Sequence, residues 1–397
     1  MSLFDSVPLA PADPILGITE AYKDDPNPNK VNLGVGVYLD ADGLVPILQC
    51  VQEAEKRLTA EPRPRTYLPI SGLPSFVEQV NSLVFGVDSP HLERVATVQS
   101  LSGTGALKIG ADFVKRFYPA AQVLISNPSW ENHRALFERA GLVVNSYRYY
   151  DSETRGLDAE GLYEDLNNAK PGTVVVLHAC CHNPTGVDLD TEQWAEVAAI
   201  IGERELIPFL DMAYQGFSQG VERDSAVVRA FAAIGVPVFV ASSLSKNFSL
   251  YGERVGALSV VTFSADEAQR VLSQLKVCIR TNYSNPPTHG AAVGSLILGD
   301  PLLRASWEAE LEQMRLRTRS MRLRLTELLR QAGSAFDPSF ISDQVGLFSF
   351  TGLTPAQMSE LRENWSVYGT QAGRICVAAL NEKNIERVVE AIVAVSR

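Results

Sequence analysis

Lys246 is the amine best placed for covalent chemistry. It follows an apolar, β-branched run at 236–241 and sits among Ser242, Ser243 and Ser245, with Arg254 eight residues on. The run predicts a buried parallel strand. Ligands of open α/β sheets lie just beyond the carboxyl ends of such strands. An amine there can attack a carbonyl, while hydroxyls and a guanidinium hold an anion such as phosphate. The same residues also fit a lysine snorkelling from a strand end and an arginine in a surface ion pair. What decides between the two is which other groups reach the same edge.

The elements that would position those groups repeat one plan. A strand at 94–99 runs into Ser100-Leu-Ser-Gly-Thr-Gly105 and an amphipathic helix to Phe117, whose free N-terminal N–H groups suit a phosphate. A strand at 123–126 is followed by Asn127-Pro-Ser-Trp-Glu-Asn-His133 and a helix to Ala140. A strand at 173–178 leads into Ala-Cys-Cys-His-Asn-Pro-Thr-Gly186 and a helix at 191–203. A strand at 206–210 ends at Asp211, with Tyr214 three residues on. Further strands are expected at 142–147 and 257–261. This alternation predicts an α/β fold with a mainly parallel sheet flanked by helices. Asp13-Pro14 reads as a helix start, and 31–38 alternates like a strand. From Pro301 a stripe through Trp307, Leu311, Met314, Thr318, Met321, Leu325 and Leu328 predicts one long helix, with the arginines at 315, 317, 319, 322 and 324 on an exposed charged face. Strands near 345–351 and 374–377, with helices at 355–364 and 384–395, predict a smaller α+β domain. The division expected is 45–312 for the large domain, and 1–44 with 313–397 for the small one.

Collected at the strand ends are Ser102, Gly103, Thr104, Trp130, Asn183, Asp211, Tyr214, Ser243, Ser245, Lys246 and Arg254. Together they make a phosphate cradle, an aromatic face, a carboxylate, a phenol, an amide and one lysine. A pyridine aldehyde carrying a phosphate uses all of these. The lysine takes the aldehyde, the aspartate pairs with the protonated ring nitrogen, and the cradle anchors the phosphate. Taken singly, Asp211 fits a helix N-cap, Trp130 fits plain core, and His178 and His182 fit satisfied core histidines without metal-ligand spacing. Coincidence at consecutive strand ends favours a pyridoxal phosphate site.

Composition narrows the classes. The 397 residues are 46% hydrophobic and 20% charged, enough for a full globular core. A net charge of −11 argues against nucleic-acid or anionic-membrane binding. Five cysteines, with no zinc or disulfide spacing, point to a reducing compartment. The N-terminus shows no secretory pattern and no apolar stretch reaches membrane-span length, so a cytoplasmic protein is expected.

The chain resembles the pyridoxal phosphate-dependent aminotransferases of the aspartate and aromatic amino-acid subgroup over nearly its full length. The resemblance rests on Val31-Asn-Leu-Gly-Val-Gly-Val-Tyr38, Ser102-Gly-Thr-Gly-Ala106, Asn127-Pro-Ser-Trp-Glu-Asn-His133, Cys180-Cys-His-Asn-Pro-Thr-Gly186, Asp211-Met-Ala-Tyr-Gln-Gly-Phe217, Ser243-Leu-Ser-Lys-Asn-Phe248, Tyr251-Gly-Glu-Arg-Val-Gly256 and Arg280-Thr-Asn-Tyr-Ser-Asn-Pro-Pro287. It implies that Lys246 is the Schiff-base lysine and proton shuttle. Asp211 would pair with the pyridine nitrogen, with His133 behind it. Tyr214 and Asn183 would bond the phenolic oxygen, and Trp130 would stack on the ring. Ser102, Gly103, Thr104, Ser243, Ser245 and Arg254 would bind the phosphate, joined by Tyr67 from a second subunit. Arg374 would grip the substrate α-carboxylate, Gly36 would line the substrate side, and Arg280 from the other subunit would meet a distal carboxylate. A homodimer with shared active sites is therefore implied, and no metal.

For substrate, Arg280 favours dicarboxylates, while the apolar Leu39 and Val45 near the mouth favour an aromatic ring. Val37, Thr104 and Asn285 look like the aspartate-specific members. Tyr67-Leu-Pro-Ile70 and Arg204-Glu-Leu-Ile-Pro-Phe209 look like the aromatic-active ones. The expectation is transfer between aromatic or dicarboxylic L-amino acids and 2-oxo acids such as 2-oxoglutarate, with a strict aspartate aminotransferase as the alternative. A decarboxylase or synthase would share Lys246 and Asp211 without needing both Arg280 and Arg374. A cofactor-sensing DNA-binding regulator would need a basic module ahead of residue 12, where the resemblance begins.

Overall fold

The structure, a computed structural model, describes residues 2–9, 16–61, 64 and 66–397. Its centre is a seven-stranded sheet made of β1 (Val95–Leu101), β2 (Gln122–Asn127), β3 (Val143–Arg148), β4 (Val174–His178), β5 (Ile207–Met212), β6 (Val238–Ser243) and β7 (Val255–Val261). The spatial order is β1-β7-β6-β5-β4-β2-β3. Every pair is parallel except the two made by β7, which runs antiparallel to both β1 and β6.

The apolar runs follow from burial on both faces. Val174, Val176, Phe209, Phe239, Leu258 and Val260 enter one core, while Val175, Leu177, Leu210, Val240 and Ala257 enter the other. Alternate side chains therefore fall to opposite faces and find apolar partners on each. Helix α1 (Ser102–Phe117) packs against β6 and β7, and α3 (Ala265–Asn282) covers β1; α2 (Glu131–Arg139) follows β2. The sequence reading did not assign α3 or the helix His289–Gly299.

Four expectations are corrected or moved. The run at 31–38 pairs only as Val31–Asn32, parallel to Val367–Tyr368. Beyond it the backbone leaves the ladder, and the Gly34 carbonyl accepts a bond from Arg374 instead. The strand expected from 236 starts at Val238 and continues through Ser242 and Ser243, so these serines are strand residues. Asp211 likewise lies within β5. The arginine face of the long helix is not uniformly exposed, because Arg322 is 2% exposed and belongs to the packed side. The helix start expected at Asp13-Pro14 falls outside the described residues.

The long helix, α4 (Pro301–Gln331), begins with Asp300 accepting from the N–H groups of Leu302 and Leu303, and has proline at its first position. It buries Trp307, Leu311, Met314, Met321 and Leu325 as the stripe predicts. Trp307 Nε1 donates to the Asn247 carbonyl at 2.8 Å and its ring stacks on Phe248 at 4.5 Å. This helix therefore braces the loop that carries Lys246. After it, Phe348–Phe350 pairs antiparallel with Arg374–Cys376, flanked by the helices Pro355–Trp365 and Ile385–Val395. Among the described residues, no helix is long and apolar enough to cross a membrane.

Candidate active site

The carboxyl ends of β1, β2, β4, β5 and β6 share one edge of the sheet. Because β7 alone is reversed, its N-terminal end lies at that edge too. Arg254, the residue just before it, is thereby delivered to the same place as the residues following β1 and β6. Arg254 holds a left-handed backbone, φ 52°, and its guanidinium reaches the Ser245 hydroxyl at 3.4 Å. Ser102 opens α1 with φ 61°, and its hydroxyl lies 2.9 Å from that of Ser243 and 2.7 Å from that of Ser245. Three hydroxyls, an arginine and the positive end of a sixteen-residue helix converge there. Gly256 lets β7 come this close. A Cβ on it would sit 2.4 Å from the Ser242 carbonyl oxygen and 2.8 Å from the Ser102 carbonyl carbon.

A cavity of about 230 Å³ opens from this cradle. Its walls include every predicted site residue except Tyr67 and Arg280. On one side, β4 and β5 pair so that His178 stands opposite Asp211. His133, in the first turn of α2 and fully buried, donates from Nε2 to Asp211 Oδ2 at 2.9 Å, while its Nδ1 meets the Ser129 hydroxyl at 2.9 Å. Asp211 Oδ1 is buried without a partner. Burial opposes a charge on Asp211, but the His133 hydrogen bond and the attraction of nearby groups, Lys246 among them, outweigh it and hold the carboxyl below its usual range. His178 is pushed down to about 3 by burial and by its neighbour His133. Polar atoms of His133, His178 and Asp211 lie within 4.8 Å of one another. Both His133 nitrogens are already engaged, so His133 is a hydrogen-bonded support for Asp211 rather than an open ligand, whereas both His178 ring nitrogens are buried without a partner, so His178 is not the satisfied core histidine expected. His182 bonds Ser126 and Thr185 and stacks on Tyr149, a satisfied core histidine.

Lys246 enters the cavity from the turn after β6, its Nζ 4.9 Å from the Tyr214 ring centroid. Burial lowers its pKa to about 8. Asp211 pulls the other way, and Arg254 and Arg374 add to the lowering. Burial also pushes the Tyr214 phenol upward. Trp130 caps the start of α2 and meets His133 edge-on at 5.3 Å.

The opposite wall comes from the C-terminal layer. Arg374 is 1% exposed. It donates to Asn183 Oδ1 at 3.1 Å and to the Gly34 carbonyl at 2.9 Å, lies 4.3 Å from the Phe348 ring, and keeps its Nε without a partner. A guanidinium so oriented, with one donor free, can take a carboxylate. Gly36 faces Phe348, whose ring leaves only 3.0 Å for a Cβ there.

Tyr67 is 91% exposed and Arg280 is exposed at the end of α3, bonded to Ser284; neither reaches this cavity. The sequence reading missed Leu107, Ala213, Tyr251 and Phe348 as lining residues, and gave His178 no place at the site. Tyr251 stands inside a motif that was read for Arg254. Its hydroxyl accepts the Tyr38 N–H at 2.9 Å, tying the N-terminal segment to the cradle. Phe348 carried no polar signal to find.

An amine, an unpartnered carboxylate oxygen and an anion cradle around one cavity are the fittings of a phosphate-bearing carbonyl cofactor. The description of the aminotransferase class I and II family matches residues 28–392. The chain belongs to that family. It is 55% identical to the aspartate aminotransferase of Pseudomonas aeruginosa, over 100% of both chains. It is 48% identical to the aromatic-amino-acid aminotransferase of Escherichia coli K12, covering 99% of this chain and 100% of that one. Among solved structures, the aromatic-amino-acid aminotransferase of Burkholderia pseudomallei, described as covalently bound to pyridoxal phosphate, superposes with a TM-score of 0.97 at 57% identity over 100% of both chains. The protein is a transaminase.

Proposed function

We propose that this aminotransferase works with pyridoxal 5′-phosphate and moves the amino group between aromatic or dicarboxylic L-amino acids and 2-oxo acids such as 2-oxoglutarate. The observation that carries the cofactor reading is Asp211, a buried carboxylate with one oxygen fixed by His133 and the other unpartnered in the cavity wall. That oxygen fits a protonated ring nitrogen, and the cradle of Ser102, Gly103, Thr104, Ser243, Ser245 and Arg254 fits a phosphate. Bound there, the cofactor supplies an aldehyde carbon for an amine and a ring that accepts the electron pair of a broken Cα–H bond.

Each protein group then has a task. Lys246 would hold the cofactor's aldehyde carbon at rest. Once free, its Nζ would take the proton from the substrate Cα and hand it on; a pKa near 8 leaves part of the amine neutral at working pH. Asp211 keeps the ring nitrogen protonated, and His133 keeps Asp211 charged and oriented. Tyr214 and Asn183 would bond the cofactor's phenolic oxygen, and Trp130 would cover its ring. Arg374, positioned by Asn183 and Phe348, fixes the α-carboxylate, and Gly36 leaves room for the side chain.

The chain is proposed to act as a homodimer. Support comes from Tyr67 and Arg280, which are exposed and remote from their own cavity. In this reading each completes the partner's site, Tyr67 at the phosphate and Arg280 at a distal carboxylate. Residues 45–312 form the cofactor domain, and 1–44 with 313–397 form the part that closes on substrate. The pairing of Val31–Asn32 with Val367–Tyr368 supports that grouping. A cytoplasmic site of action belongs to the same proposal.

The test is to add aspartate, tyrosine, phenylalanine and leucine separately to cofactor-loaded protein and follow its visible absorbance. Conversion by aspartate, tyrosine and phenylalanine is expected. Conversion by aspartate alone would leave a strict aspartate aminotransferase. That second reading is favoured by Arg280, a single cation suited to a second carboxylate.

A further inference from the structure

Behind the active site, α4 and two loops enclose a second cavity of about 430 Å³. One loop, Phe217 to Gln219, follows the strand that carries Asp211. The other segment, Ser342 to Gly346, runs from the end of the short helix Ser339–Asp343 towards Phe348, which packs under Arg374. Four guanidinium groups line the space: Arg223, Arg315, Arg319 and Arg322. Arg315 is matched by Glu312 at 2.5 Å, and Asp343 is the carboxylate on the cavity wall. Arg322 is 2% exposed, yet it forms no ion pair among the described residues. It donates only to carbonyls, those of Gly346 at 2.8 Å, Phe348 at 2.7 Å and Ile341 at 3.4 Å. Arg223 and Arg319 are exposed and have no polar partner among the described residues.

Buried charges are ordinarily paired, because an isolated one loses its hydration without recompense. In a chain carrying net charge −11, two unpartnered arginines and one buried unpaired arginine share a single cavity. We propose that this cavity is a second anion site, taking a compact dianion such as inorganic phosphate or a short dicarboxylate. Arg319 and Arg223 supply the free forks, and Arg322 supplies the fixed charge at the inner wall. Burial lowers the Arg322 pKa to about 10, and an anion beside it offsets that lowering by favouring the charged form. A purely structural Arg322, tying 341–348 to the helix through carbonyls, needs neither Arg223 nor Arg319. Those two residues therefore carry the test. An anion held by Arg223, Arg319 and Arg322 links the short helix Val221–Asp224 to α4, whose Arg322 in turn holds the Gly346 and Phe348 carbonyls.

The experiment compares melting of cofactor-loaded wild type with the double variant Arg223→Gln, Arg319→Gln, which leaves Arg322 and its carbonyl bonds in place. Millimolar inorganic phosphate and millimolar succinate are tested separately against sodium chloride of equal ionic strength. Succinate also meets the substrate site, so its second-site effect is read as the difference between wild type and variant. Phosphate is expected to raise the wild-type Tm by about 2 °C and the variant by less than half as much. A variant-sensitive rise with succinate alone supports the site with a dicarboxylate as its ligand. A rise of equal size in both proteins, or none beyond sodium chloride with either anion, overturns it.

Discussion

His133 and Asp211 are 78 residues apart in sequence and meet at 2.9 Å in a fully buried contact. One carboxylate oxygen is thereby spent inside the protein and the other faces the cavity. Removing the charge while keeping the shape isolates its role. Asp211→Asn should retain cofactor, judged by visible absorbance, and lose kcat by on the order of 10²–10³. The acid side of cofactor-free stability should change as well. A carboxyl held below its usual range stabilises the fold above the unfolded pKa of about 3.9, and that contribution is lost as pH falls through the lower folded value. The variant should lack this component in acid titration of unfolding.

Lys246→Ala should abolish turnover, by at least about 10³-fold. Substantial activity in steady-state assays of that variant would refute the assignment. Lys246→Met tests the electrostatics in cofactor-free protein. The folded amine titrates near 8 against about 10.4 when unfolded, so the unfolded chain binds more protons between those values. Wild-type stability should rise with pH across that window. At pH 7 the methionine variant should be more stable by on the order of 1–3 kcal/mol, with the advantage shrinking as pH climbs from 8 to 10. Denaturant melts at several pH values provide the check.

Arg374 and Arg280 should separate cleanly in kinetics. Arg374→Ala should raise KM for every amino acid by about 10–100-fold, the worth of charge-assisted hydrogen bonds to a carboxylate. Arg280→Ala should raise it for aspartate by a similar factor and leave phenylalanine within about 3-fold. Equal losses for both substrates with Arg280→Ala would remove it from side-chain recognition.

Gly256→Ala should be severe for a residue with no side chain. The added carbon meets three backbone atoms, the Ser242 oxygen and the Ser102 carbonyl carbon and Cα, which cannot swing away. A loss of about 2–3 kcal/mol in stability is expected, together with weaker cofactor retention on dialysis. Full retention with unchanged stability would show that the cradle tolerates a wider spacing.

The set of side chains that meets at one cavity was legible because a polar group that ends an apolar strand is conspicuous. Lys246, Asp211 and the serines each interrupt a run of Val, Phe and Leu. Less visible was how Arg254 joins them, since only the reversed direction of β7 brings the start of that strand to the shared edge. The arginines of the long helix misled for a related reason. Arg322 directly follows Met321 on the buried stripe, and a charged residue beside a stripe reads as exposed until the carbonyls of 341–348 are seen to receive it. Phe348 stayed hidden because an apolar residue in a strand looks the same whether it faces core or ligand. The departure of 34–38 from its expected strand is seen in its bonds as well: Leu33 still gives its N–H to Tyr368 and accepts from Cys376, while the Gly34 carbonyl is engaged by Arg374.

The reversed strand also sets an order in time. β7 is the last of the seven strands in the chain, yet it lies between β1 and β6. During synthesis, the edges that will flank it must wait open until residue 261 has emerged, through pairings of long sequence separation that form slowly. The anion cradle, which needs Arg254 beside Ser102 and Ser245, does not exist on any shorter nascent chain. Cofactor capture is therefore a late event in the life of the polypeptide, and phosphate-ester binding reports a completed sheet.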